Sequence, residues 1–447
     1  MENFISEVTV SKKTKIRNII KKINTNGLNG VFVTKPNRDI LGIITDSDIR
    51  KNILRNNFKK STRADQIMKK KFISIPQSKV NLSKKILYES NKILVPVLNK
   101  RKIVDYVHIS DFNSYKDKEK NRILVIGGLG MIGSLLTKKL LFLGKKVNIL
   151  DINFYNTKKI FKKKNKKLKI FIGDVNNKKI LKKAISGCSS VIHLGEIVGD
   201  PAVSLNEKFS IKNNFEATNF LLNECIKSGI QRFIFTSSCS VYGFAKKKCN
   251  ENSKLNPVSL YAKCKVACEQ QILSQKIKNF CPTILRLSTV YGNSPRLRLD
   301  LVVNRFVANA VKRKKLYVFG ENCWRPMISV DDVCDGIIKI LKTKKNKVSY
   351  QIFNLGSDRE NYMIKDVAEL IKKNIKIKIN YQKQKDDPRN YRVSFAKINK
   401  KINYKMKNNL KSYIKKLISI FKNKKFNINE EKYYNDKKIN FVIRKSI

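Results

Sequence analysis

The chain has 447 residues, 42% of them hydrophobic and 29% charged, with 96 Lys and Arg against 34 Asp and Glu for a net charge of +62. This is the make-up of an ordinary soluble protein with material for two or three domains. Its longest weakly polar stretch, Ile123–Leu136, is 14 residues broken by four glycines, too short to span a bilayer, and the segment MENFISEVTVSKKTK has no apolar leader core, so a cytoplasmic protein without membrane insertion is expected.

In chain order, the first 115 or so residues predict a small α/β unit. The runs Val31–Val33, Leu41–Ile44 and Ile93–Leu98 read as short strands, with helical stretches near Lys15–Ile23 and Leu82–Tyr88. Two segments echo one another, ILGIITDSD at Ile40–Asp48 and IVDYVHISD at Ile103–Asp111, each a strand that ends in polar residues before a helix. Both halves resemble the CBS motif. That resemblance implies a regulatory pair over residues 1–115 that holds an adenosine nucleotide (AMP or ATP) through Thr45 and Asp48 in the first half and Asp111 in the second. The second half departs from the motif, with His108 where a hydroxyl residue is usual and Asp105 where a glycine is usual. Asp46, Ser47 and Asp48 also read as plain helix caps.

A polar linker follows at 116–120, and beyond it a new pattern begins. The runs RILVIGG, KVNILD, LKIFIGD, SSVIHLG and QRFIFTSS alternate with helical stretches, which predicts a doubly wound parallel sheet of the Rossmann type over residues 121–424, with a smaller substrate part at its C-terminal end. The last segment, 425–447, reads as a polar, loosely attached tail.

The strand Ile123–Ile126 runs straight into Gly127-Gly-Leu-Gly-Met-Ile-Gly133 and an apolar helix. In that context the glycines have distinct jobs. Gly127 permits the tight turn, Gly130 lets backbone approach a pyrophosphate, and Gly133 lets helix pack on strand, while the helix start at Met131 and Ile132 offers unpaired N–H groups. The next strand ends in Asp151, whose carboxylate suits the ribose hydroxyls of NAD and repels a 2′-phosphate, although Lys158 and Lys159 follow closely. Asp174 and Val175 close the third strand, where an adenine contact falls.

Farther on, Tyr261 and Lys265 are four residues apart on one helix, so they share a face. An ammonium beside a phenol favours phenolate, which lowers the proton affinity of a group that otherwise titrates near 10. Tyr261 is then a candidate to take a proton from a sugar hydroxyl, with Ser238 holding the same oxygen in line. The motifs GGLGMIG, HLGEIVGD, SSCSVYG, YAKCK, LRLSTVYG and RPMISVDDV, in that order, resemble the extended short-chain dehydrogenase/reductase family, specifically its NAD-dependent epimerase/dehydratases of nucleotide sugars. The resemblance implies NAD as cofactor and a nucleotide sugar as substrate. It implies Ser238, Tyr261 and Lys265 as the catalytic trio, Tyr261 and Lys265 also against the cofactor, Asn214 as support, and Leu194 in the His193-Leu-Gly195 run beside the nicotinamide. It also implies Arg325 and Arg389, then Asn304 and Arg296, as groups for the diphosphate, for which a guanidinium fork is well suited. A homodimer through the long helices is expected.

Where 4,6-dehydratases of the family carry an Asp-Glu pair, this chain has Cys239 and Ser240. That favours a 4-epimerase acting through a keto intermediate over a dehydrogenase, reductase or dehydratase. Two readings of other classes are an NAD-binding sensor without turnover and a polyanion-binding protein. Against the latter, residues 1–120 carry 27 cations and 11 anions, so the positive charge is spread along the chain and no arm specific for nucleic acid stands out. The nine cysteines lie between Cys188 and Cys334 without metal spacing and read as free thiols, with no metal site expected.

Overall fold

The computed structural model describes residues 5–54, 61–90, 92–108, 120–161, 165–277, 279–382, 389–423, 426–437 and 439–440. The expected ribose ligand Asp111 and most of the linker lie outside them. The chain forms two compact units.

The first unit begins with two copies of one motif. Strand β1 (Thr9–Ser11) leads through helix α1 (Ile16–Asn26) to β2 (Gly30–Thr34) and the hairpin partner β3 (Ile40–Thr45), with β1 parallel and β3 antiparallel to β2. Helix α2 (Asp46–Leu54) follows directly. Strands β4 (Ile75–Pro76), β5 (Leu94–Asn99) and β6 (Lys102–His108) repeat the arrangement, parallel then antiparallel, with helix α3 (Ser83–Ser90) between the first two. The internal echo seen in the sequence is therefore a structural repeat. Each sheet buries one apolar set, Ile16, Ile19, Ile23, Val31, Val33 and Ile44 in the first copy.

The units do not follow the expected boundary at the linker. Segments Phe215–Gln231 and Ala267–Phe280 from the second stretch of sequence belong to the first unit. They are held there by polar contacts that sequence spacing cannot reveal. Asn29 donates to Gln275 Oε1 at 2.6 Å in a buried pair, Ser274 donates to Asp46 at 3.1 Å, and Lys51 pairs with Glu216 at 2.6 Å.

The second unit is built on a seven-stranded parallel sheet. Strands β7 (Arg122–Ile126), β8 (Lys146–Asp151), β9 (Leu168–Ile172), β10 (Cys188–His193) and β11 (Arg232–Ser238) follow the five predicted runs closely, and β12 (Cys281–Leu287) adds a strand that was not predicted. Short strands β13 (Thr289–Tyr291), β14 (Lys315–Val318) and β15 (Trp324–Ser329) come next, before β16 (Gln351–Leu355) returns to the large sheet. Its spatial order is β16-β12-β11-β10-β7-β8-β9. The order reverses between β7 and β10, the place where a doubly wound sheet opens a crevice at its carboxyl edge. The strands are nearly continuous apolar runs because both faces are covered, as parallel sheets require. A second core, which includes Val303, Phe306, Ile371 and Leu417, supports the smaller C-terminal part.

The segment expected to be a loose tail is seated where it is described. Asn435 and Ile439 are buried, and the Tyr433 carbonyl accepts from Leu299 N at 2.9 Å. One residue of the apolar cluster that starts at Ile439 anchors it: Ile439 packs on Ile197, Ala202 and Val203. Among the described residues no helix is long and apolar enough to cross a membrane.

Candidate active site

At the carboxyl edge of β7, β8, β10 and β11 lies a cavity of about 350 Å³. Its first wall is the glycine turn. Gly127 has φ +75°, and a Cβ there would meet Gly195 Cα at 2.6 Å; a Cβ on Gly133 would lie 2.2 Å from the Gly127 carbonyl oxygen. These glycines are fixed by close approach of two loops and by helix α4 (Met131–Phe142), whose first turn follows Gly130 at once. Asp151 braces the turn from the end of β8. One carboxylate oxygen accepts from Leu129 N at 2.9 Å and the other from Asn153 N at 2.7 Å. Burial holds this carboxyl above its ordinary range, against the pull of those N–H groups and of Arg296. Gly130, Met131, Ile132, Asp174, Val175 and Leu194 line the same space.

The opposite wall carries Ser238, from the end of β11, and helix α5 (Leu260–Leu273) with Tyr261 and Lys265. The Ser238 hydroxyl accepts from Ser240 N at 3.1 Å and from the Ser240 hydroxyl at 2.9 Å. The Lys265 ammonium lies 5.6 Å from the Tyr261 ring centre and donates to the Thr236 carbonyl at 2.5 Å. It also forms an ion pair with Glu196, a group that sequence reasoning passed over although it quoted the HLGEIVGD run. The expected easy deprotonation of Tyr261 is not what this state of the cavity favours. Burial raises the phenol's pKa above its ordinary value, Lys265 and Arg298 pull it down, and Glu196 and Asp200 push it up. The ammonium is half spent on the carboxylate. Below the site, His193 is buried and kept neutral, its pKa pushed down to about 3 by burial with help from Lys265.

Asn214 does not line the cavity but pins its floor. Its side chain accepts from Ile197 N and donates to Ile197 O, both at 2.8 Å, from a single π-helical turn at Lys212–Glu216. Such turns are frequent where a side chain must be re-aimed.

Of the four expected substrate residues, only Arg296 lines the cavity. Its guanidinium lies 3.8 Å from the centre of the Tyr155 ring and donates to Asn435 at 2.7 Å. Burial lowers its pKa to about 10, with Arg298 adding to the effect. Arg298 lines the cavity too, held on Asp300 by bonds of 3.0 and 2.6 Å. Asn304 takes a different place: fully buried, it donates to Gly292 O and Arg298 O and accepts from Gly292 N, which leaves none of its polar groups for a ligand. Arg325 turns onto the Trp324 and Arg389 carbonyls, and Arg389 pairs with Asp200 beside the cavity.

The parts that face the cavity fit a dinucleotide at its glycine end: a turn that a Cβ would fill, a helix N-terminus, and a carboxylate at the end of the neighbouring strand. The profile of the NAD dependent epimerase/dehydratase family matches residues 123–356, just over half of the chain. The chain belongs to that family. Among its relatives is the UDP-glucose 4-epimerase of Haemophilus influenzae, 30% identical over 293 residues that make up 58% of this chain and 84% of that one. The UDP-N-acetyl-alpha-D-glucosaminuronate decarboxylase of Bacillus cytotoxicus is 29% identical over 56% of this chain and 79% of its own length. A solved UDP-glucuronic acid 4-epimerase of Bacillus cereus, in complex with UDP-glucuronic acid and NAD, is 25% identical with a TM-score of 0.60, covering 67% of this chain and 99% of that one. A CBS domain profile matches residues 4–55. The chain is thus an NAD-dependent epimerase/dehydratase with an N-terminal CBS domain.

In the CBS domain, Thr45 and Asp48 form a reciprocal cap on helix α2. Asp48 accepts from Thr45 N at 3.1 Å and from its hydroxyl at 2.6 Å, while Asp48 N donates back to Thr45 at 3.3 Å. The cap expected of Asp48 is thus formed, with Thr45 as its partner. All nine cysteines carry free thiols, eight of them buried.

Proposed function

We propose that the chain is a nucleotide-sugar 4-epimerase in which Ser238, Tyr261 and Lys265 do the chemistry. One observation supports this most: the three side chains line one cavity, while the two positions after Ser238 offer no acid or base. Cys239 is buried and donates to the Arg286 carbonyl at 3.4 Å, and the Ser240 hydroxyl is spent on Ser238. NAD, when bound, would supply the hydride acceptor and donor. Tyr261 removes the proton from the sugar hydroxyl and gives it back, Ser238 orients that oxygen, and Lys265 with its positive charge stabilises the phenolate. Gly127, Gly130, Met131, Ile132, Gly133, Asp151, Asp174, Val175 and Leu194 hold the dinucleotide, and Arg296 holds the sugar nucleotide's diphosphate.

The purified protein is incubated with a panel of UDP-sugars and followed by NMR. Appearance of the C4 epimer, absent in Tyr261→Phe, is the expected result. A 4-keto-6-deoxy product or net accumulation of NADH replaces this reading with the dehydratase or the dehydrogenase. No turnover with NAD retained leaves the sensor.

The CBS domain is proposed to take an adenosine nucleotide at Thr45 and Asp48 and to modulate turnover. Ser274, one residue past the helix that carries Tyr261 and Lys265, donates to Asp46 beside that pair, so a ligand there has a short covalent route to the site. Unchanged turnover at saturating AMP or ATP, with binding measured, overturns it. A cytoplasmic homodimer completes the proposal. Because the N-terminal repeat already engages Asn219 and Gln275 on the long helical segments, pairing uses the faces left uncovered, and a sedimentation mass of one chain overturns it.

A further inference from the structure

Glu196 follows Gly195 on the loop after β10, where the glycine's lack of a side chain lets that loop press against Gly127. Its carboxylate is therefore delivered into the cavity between the glycine turn and helix α5. The Glu196 and Lys265 side chains are each 3% exposed. Removing a carboxylate from water is costly, and a pair so deep persists only when its partners are well placed. One oxygen of Glu196 has Lys265. The other, Oε1, is buried without a hydrogen-bond partner among the described residues. Nothing in the epimerisation proposed above uses this carboxylate.

We infer that Glu196 is a positioning residue that governs whether Tyr261 holds its proton, acting through the Lys265 ammonium that it binds. The charged groups around the phenol are few. Lys265 and Arg298 favour the phenolate; Glu196 and Asp200 oppose it; His193, packed beneath Lys265, is neutral. Of the two opposing carboxylates, Asp200 is committed to Arg389, whereas Glu196 is bound to the one cation that shares a helix face with Tyr261. With Glu196 ionised, the ammonium is neutralised and the phenol keeps its proton. When a hydroxyl donor fills the cavity, Oε1 gains a partner and the carboxylate is shared, so more of the ammonium's field reaches the phenol. The cavity thus arms its base only when it is filled.

This inference rests on Tyr261 being the base but not on the identity of the sugar, and its test needs neither substrate nor turnover. Absorbance of the folded protein is titrated from pH 6 to 11 near 295 nm, and the Tyr261→Phe trace is subtracted to leave the phenolate signal of that one tyrosine. In Glu196→Gln the midpoint is expected to fall by at least one pH unit, because a negative charge that opposed ionisation is gone. Glu196→Asp, which keeps the charge, is expected to stay within half a unit of the wild type. A coincident or higher midpoint in Glu196→Gln overturns the inference, and so does an equal fall in both variants. Should Glu196→Gln fail to fold by circular dichroism, Lys265→Met in the same titration decides. With the cation removed, the midpoint is expected to rise, and an unchanged midpoint overturns the inference. A fall in Glu196→Gln together with no sugar interconversion in any form would support the inference while ending the epimerase reading.

Discussion

The two ends of the cavity were built by different kinds of sequence information. The glycine end is local: strand, turn and helix within Arg122–Phe142, a carboxylate at the end of the next strand, and a Tyr-Lys pair one helical turn apart. The arginine end is assembled from afar. Tyr155, Arg296 and Asn435 meet there through bonds of 2.9 and 2.7 Å although hundreds of residues separate the first from the last. A motif that lies on one strand–turn–helix can be read from spacing, because the backbone itself fixes the geometry. A wall made by three loops cannot, because each loop's direction is set by what it packs on.

That contrast can be tested by substitution. The largest effect is expected at the local end, where Tyr261→Phe should lower kcat by about 10²–10⁴-fold with NAD retention unchanged, measured by interconversion and by bound dinucleotide. Gly133→Ala should come next. Its Cβ would lie 2.2 Å from a carbonyl oxygen, so the turn must shift, with a loss of about 1–3 kcal/mol in chemical unfolding and weaker NAD binding by calorimetry. Asn304→Ala should cost a similar amount of stability, about 1–3 kcal/mol, because buried backbone groups at Gly292 and Arg298 lose their partner, while KM stays level. A raised KM with unchanged stability would restore Asn304 to the substrate. The smallest effect is expected from Asn435→Ala, which leaves Arg296 without its buried acceptor and should raise KM for the sugar nucleotide by about three- to tenfold at constant kcat.

The same division explains what was legible. Five strands of the seven-stranded sheet and the repeated N-terminal motif follow from apolar runs and turn residues, and the structure carries them nearly residue for residue, whereas β12 and β16, beyond the point where the alternation loosens, were not read. Asn304 was misjudged because a polar residue among arginines looks like a ligand group, whereas its amide closes the backbone around Gly292. Arg298 was not singled out among the arginines of its run, yet it lines the cavity, half-buried on Asp300. Glu196 lay in a quoted motif, but nothing in spacing alone brings it to Lys265 across 69 positions. The grouping of Phe215–Gln231 and Ala267–Phe280 with the N-terminal repeat was not legible for a related reason: Gln275 and Ser274 meet Asn29 and Asp46 across more than 200 positions.

The seat of Ile439 and Asn435 has a practical side. A protein shortened to residue 430 would keep its sheets and lose Asn435 and Ile439, which form one wall of its binding chamber. Any shortened form used to screen ligands therefore has to retain both residues.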